Sequence, residues 1–174
     1  MSRDGIIRAN HRKVVRITPT ISATAYDAGD VLFLTTAIPN AVAEAGGCSK
    51  LLAVTMVHQH DAADEVGLVF MKNSVNLISS LSPGSTGGSA ISDADLESAN
   101  VLGLVQLDST DNRVDLGGSG VYTTGGNANS VGLISPILLQ AASASTSVYV
   151  AGIAIDAQDY GATDDLDLIF HIEY

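Results

Sequence analysis

The chain is poor in several things that narrow its identity. One cysteine, Cys48, stands alone in 174 residues, so no internal disulfide can form and stability must come from packing or subunit contacts. Tryptophan is absent and aromatics make up 5%, so Val, Ile and Leu carry the apolar content. No apolar run approaches the 18 residues of a membrane-spanning helix. The opening "MSRDGIIRANHRKVVRI" is basic but lacks the apolar core and cleavage site of a signal peptide. Basic residues are scarce too, eight against nineteen acidic ones.

What is present points to β-structure. The chain is 46% hydrophobic and 16% charged, which excludes a disordered protein. Abundant Gly, Ser, Thr and Ala beside β-branched residues suit short strands joined by tight turns. Strands are expected near residues 11–21, over Val31–Thr35, from Leu51 to His58, from Glu65 to Lys72, and over Val101–Leu107, the last as a buried strand. Two more are expected either side of 142–146, and a final one from Leu166 to Tyr174. The segments Leu51–His58 and Glu65–Lys72 read as a hairpin, and Asp27–Asp30 as a turn. Ser92–Ala99 is the one helical turn: Ser92 can cap it, Asp93 and Asp95 favour its positive end, and its Ala-Leu-Ala spacing would pin it to a sheet edge. Eight to ten strands without alternating helices predict an all-β protein, an antiparallel β-sandwich of jelly-roll type with an extended N-terminal arm. The expected division is a basic arm over 1–16 and one β-sandwich domain over 17–174.

The charge distribution is lopsided. Arg3, Arg8, Arg12, Lys13 and Arg16 face only Asp4 within residues 1–16, a net +4, whereas three basic residues face eighteen acidic ones beyond, a net −15. The arm is either a solvated terminus or a device that docks on an acidic neighbour, including another copy of the chain. Nucleic acid is not an expected partner, since the acidic body repels phosphate and the arm has no aromatic for base stacking. No membrane contact is expected.

Few residue sets suggest chemistry. His58 and His60 share a strand face by alternation, and Glu65 would complete a two-His-one-carboxylate set for a metal such as iron. The spacing is similar to the first half of the cupin metal motif. Leu52 and Lys72 stand where that family has glycines, its second motif is missing, and His171 lacks the expected Pro-x-Gly context. A polar strand end running into an acidic turn is the default. "DAQDYGATDDLD" places Asp156, Gln158, Gly161, Asp164 and Asp167 at calcium-loop positions, but Tyr160 occupies another and no helices flank it. "PGSTGGS", "LGGSG" and "TTGGN" lack a phosphate loop's Lys-Ser/Thr, and no nucleophile has a recognisable base. Cys48 reads as a small buried residue at a strand start. Tyr26, Tyr122, Tyr149, Tyr160 and Tyr174 read as half-buried at strand ends. Neither an enzyme nor a cofactor is expected.

"TPTISATAYDAGDVLF", "ISDADLESANVLGLVQL" and "VYVAGIAIDAQDYGATDDLDLIFHIEY" together resemble segments of small virion-associated proteins of tailed bacteriophages. The likeness spans most of the chain beyond Arg16 and carries no catalytic residue. It implies a cement or decoration protein on the outside of a phage head, a homotrimer bound to the major capsid protein and assembled in the host cytoplasm. A fibre module that binds glycans or receptors through loops 81–90 and 117–130 is the alternative, and a cupin-like metalloenzyme using His58, His60 and Glu65 is a third.

Overall fold

The structure is a computed structural model that describes residues 11–60, 62–78, 91, 93–110, 113–124 and 136–174. Among them are ten strands and one helix. In chain order these are β1 (Arg12–Ile17), β2 (Val31–Ile38), β3 (Cys48–His58), β4 (Val66–Met71), α1 (Asp93–Ala99) and β5 (Val101–Leu107). They continue with β6 (Arg113–Asp115), β7 (Gly120–Thr123), β8 (Ile137–Gln140), β9 (Val148–Ala154) and β10 (Leu166–Glu173). Sheet 1 runs β1-β10-β3-β7-β6, with β8 also on β3; sheet 2 runs β2-β9-β4-β5. Every pairing is antiparallel, and the chain is the expected all-β sandwich.

The pairings are nested. β1 pairs with β10, β2 with β9, β3 with β8, and β4 with β5, so first meets last and the two middle strands meet each other. The β6–β7 pair is added between, and β7 takes the part of the β3 edge that β8 leaves. In the gap between β7 and β8, Thr124 closes the ladder: its hydroxyl accepts from Val54 N at 2.7 Å, and its N–H donates to Val54 O at 2.9 Å.

The expected hairpin between Leu51–His58 and Glu65–Lys72 does not form. β3 and β4 lie in different sheets, and residues 59–65 cross between them. Burial explains why. β3 alternates like a strand with one wet face, but β4 is buried at every position and needs cover on both faces. The core lies on one side of β4. On the other, Val69 and Met71 pack with Leu77, Ala99 and Ala151, and Val75 and Ile91 lie against them.

The acidic turn, α1, therefore covers the outer face of sheet 2 rather than an edge. Asp93 and Asp95 sit in its first turn as expected, while the proposed cap Ser92 lies outside the described residues. Its last carbonyls are fastened to the end of β4: Ser98 O accepts from Asn73 Nδ2 at 2.8 Å, Ala99 O from Asn73 N at 3.0 Å, and Asn100 O from Lys72 N at 3.1 Å. Asn100 follows with φ 54°, the left-handed residue that ends many helices. β5 is not the buried strand expected: it is an edge strand that buries Val105 and Leu107 and exposes Val101 and Leu104.

The core fills the space between the sheets with Phe33, Phe70, Phe170, Met56 and Tyr122, all fully buried. Phe70 of sheet 2 meets Phe170 of sheet 1 edge-on, with centroids 5.9 Å apart at 86°. Such a pair adds about 1 kcal/mol beyond its area. At Asp27–Asp30 the expected turn is present, with Gly29 at φ 93° and Asp30 N donating to Asp27 O at 3.0 Å.

Candidate functional site

A group of buried polar side chains lies where β3 ends and the chain crosses between sheets. His58, the last residue of β3, points inward and is fully buried, with Nε2 3.2 Å from Asp64 Oδ2. The pair is not aligned as a hydrogen bond, Asp64 Oδ2 has no other protein partner, and the His58 ring has at most a loose contact with the His60 backbone, which opposes the lowering of its pKa. The imidazole also lies edge-on to Tyr160 at 5.0 Å, and Tyr160 in turn to Tyr26 at 5.8 Å. Burial disfavours charge on both members: it lowers His58, and it pushes Asp64 up to about 6, with the nearby Asp156 carboxylate adding to the rise.

Around this pair the remaining groups hold one another. Tyr160 Oη donates to Gln158 Oε1 at 2.7 Å, and Gln158 Nε2 donates to Asp156 Oδ1 at 3.0 Å and to the Glu65 carbonyl. Asp156 Oδ1 also accepts from Glu65 N at 3.0 Å. Tyr122 Oη donates to Ala62 O at 3.3 Å, and burial raises this phenol to about 12. The cluster ties residues 62–65 to the 156–160 loop.

The set His58, His60 and Glu65 is not assembled. β3 stops at His58 and Gln59 N bonds to Asp165 O at 2.8 Å, so strand alternation no longer governs His60. His60 is exposed, with its ring centroid 6.2 Å from that of His58. Glu65 accepts from Ser109 Oγ at 3.2 Å instead, and the carboxylate that meets His58 is Asp64. Among the described residues no three His, Cys, Asp or Glu side chains are placed to share a metal ion.

The calcium-loop positions do not converge either. Asp156 serves Glu65 and Gln158, Gln158 and Tyr160 are buried, and Asp164 gives its carbonyl to Gln59 Nε2 at 3.3 Å. Asp167 belongs to β10 and faces β1.

The basic arm needs a new boundary. Arg12, Lys13 and Arg16 are not part of an extended arm but lie in β1, in register with β10 from Arg12↔Glu173 to Ile17↔Leu168. Arg12 Nε is 3.5 Å from Glu173 Oε1, and Arg16 donates to the buried Asp167, which Thr18 Oγ1 also contacts. The Arg16 bond, with help from Thr18, holds the Asp167 carboxyl below the usual carboxylate range. These arginines are already engaged by the body. Arg3 and Arg8 lie outside the described residues, as do loop 81–90 and residues 125–130 of the second loop.

Two smaller expectations also change. Cys48 does open β3 but is exposed, because it falls on the outer face of sheet 1 opposite Gln140. Tyr26, Tyr122 and Tyr160 are buried rather than half-buried, and only Tyr149 and Tyr174 keep partial exposure. Sequence reasoning missed Asp64, whose only signal was its place in an acidic connection after a histidine.

What fold and site define is an all-β sandwich that places a self-contained polar cluster at its sheet crossover. No family model matches the chain, and no curated protein matches it.

Proposed function

We propose that the chain is a structural virion protein, a cement or decoration protein that binds the outside of a phage head as a homotrimer. The observation that carries this reading is the nested strand order, β1-β10-β3-β7/β8 against β2-β9-β4-β5. We read it as a jelly roll, the two-sheet architecture that recurs in viral capsid domains, lectins and cupins. Fold alone does not choose among these. The unassembled His58, His60 and Glu65 set weighs against a cupin-like metal centre. The charge of the molecule favours a virion part over a glycan binder: a net charge of −11 suits a molecule that keeps apart in solution, and Arg3 and Arg8, ahead of β1 and opposed only by Asp4, are the basic residues left to dock it. The resemblance of residues 18–33, 91–107 and 148–174 to virion-associated proteins points the same way. Repeated sites on a capsid would multiply weak individual contacts.

The test is binding to heads of the phage that encodes the chain, stripped of it, using full-length protein and a variant lacking residues 1–10. This deletion ends before β1, so it removes Arg3 and Arg8 without removing a strand. Saturable binding of the full chain, weakened by the deletion and by added salt, is the expected result. Full chain that leaves the heads bare ends the proposal; equal binding by both removes the basic segment from it.

A further inference from the structure

The two outer faces of the sandwich differ. The middle of the outer face of sheet 2 is covered by residues 75–77, Ile91 and α1, while Leu104 at its β5 edge stays exposed. Over sheet 1 no described strand or helix is packed, and its outward positions remain partly or largely exposed, apart from Asp167, which Arg16 and Thr18 cover. We propose that this face is buried against a second copy of the chain. This deepens the structural role proposed above and rests on it for its biological meaning.

Register defines what the face presents. One row across β10, β3, β7 and β6 is Asp167, Val57, Val121 and Val114. The next runs Arg16, Ile169, Thr55 and Thr123, and the third Val14, His171 and Ala53. Val14 and Val114, at opposite edges, are 61% and 58% exposed. The fourth row, Arg12, Glu173, Lys50 and Leu138, borders a shallow pocket of about 140 Å³. Apolar and hydroxyl side chains thus fill the β3, β7 and β6 part of the first three rows, with charges along the β1–β10 side and in the fourth row.

Charge identifies the occupant. Of the nineteen acidic residues, the strand positions of this face hold two, Asp167 and Glu173, and each meets an arginine. Lys50 remains, so the face is neutral to slightly positive on a molecule of net charge −11. Copies of such a molecule repel one another except where acid is scarce, and only this kind of surface lets them approach. A basic partner would be drawn to the acidic surfaces instead. A copy brings the same acid-poor apolar rows, and like-charge approach elsewhere disfavours other orientations. A four-strand-wide face of this length spans roughly 20 by 20 Å, about 400 Å² per copy, which is in the range of weak, transient interfaces, so association is expected to depend on concentration.

The experiment is sedimentation and native mass spectrometry of the purified full chain without phage heads, over a concentration series. Val14→Asp and Val114→Asp test the face, and Leu104→Asp, at a 60% exposed position on sheet 2, is the control. All three sites are exposed enough to keep the fold, which circular dichroism checks. The expected result is an oligomer whose half-dissociation concentration rises about tenfold or more in the two face variants and stays put in the control. A monomer at every concentration, an oligomer indifferent to both face variants, or one broken by Leu104→Asp would overturn the proposal. A monomer that still binds heads would sink this interface and leave the virion role standing; an oligomer that ignores heads would do the reverse.

Discussion

Two buried carboxylates respond to pH with opposite signs. Asp167 is held below the ordinary range by Arg16 and Thr18, so its contribution is complete above the unfolded carboxylate value of about 4 and is lost as pH falls through the lower folded value. Asp167→Asn should therefore lower stability at neutral pH and flatten the acid limb of a urea-denaturation series run from pH 2 to 5. A variant with an unchanged acid limb would refute that role. Asp64 behaves in reverse. Its folded value of about 6 lies above the unfolded one, so the native state binds the extra proton and stability drains away as pH rises from about 4 to about 6. Asp64→Asn removes this loss. Relative to the parent, the variant should gain stability progressively across that window, by about 1–2 kcal/mol after allowance for solvent screening, and hold the gain above it. The comparison must be made as a difference, because His58, lowered by burial, loses stability as pH falls below its unfolded value near 6.5 and offsets part of the Asp64 effect in the parent. A constant difference from pH 4 to 8 would show that Asp64 ionises freely.

Individual strands were legible in the sequence far better than their partners. Turn residues and alternation marked β2, β3, β8, β9 and β10 because those are local signals. Pairing is not local: the nested order joins β1 to β10 across 151 residues at Arg16 and Asp167, and nothing near either end announces it. The one local hint of pairing, a polar connection between two apolar runs, misled, because the uninterrupted apolar run of Val66–Met71 marks a strand covered on both faces. The polar cluster was half legible for the same reason: His58 stood out, but its carboxylate partner depended on where β3 stopped. Gly152 shows a further constraint that only packing reveals. It lies in β9 between Phe33 and Leu68, and a Cβ there would clash with the edge of the Phe33 ring. Gly152→Ala should cost about 2–3 kcal/mol through overpacking, seen as a lower midpoint in thermal unfolding. Phe33→Leu should cost stability alone yet recover part of the loss in combination, a non-additivity that separates steric conflict from a strand-propensity effect. Additive losses would mean that ring and methyl do not compete.

At the scale of the whole molecule, the corrected start of the sandwich matters most. Charge counting divided the chain after Arg16, since composition sees the basic residues as one group; pairing divides it before Arg12, since β1 is a full edge strand. The two divisions predict different behaviour on truncation. Removing residues 1–10 should leave the thermal midpoint within about 2 °C of the parent, because no described strand is touched. Removing residues 1–17 strips β1 from β10, exposes Val15's place in the core, and takes Arg16 away from Asp167. It also opens the edge of β10, an unpaired strand of eight residues with an apolar inner face. The longer truncation should unfold at least about 8 °C earlier and aggregate on heating, as light scattering during the melt would report. Equal midpoints for the two truncations would mean that β1 adds nothing to the sandwich, and the basic segment would then extend through Arg16 after all.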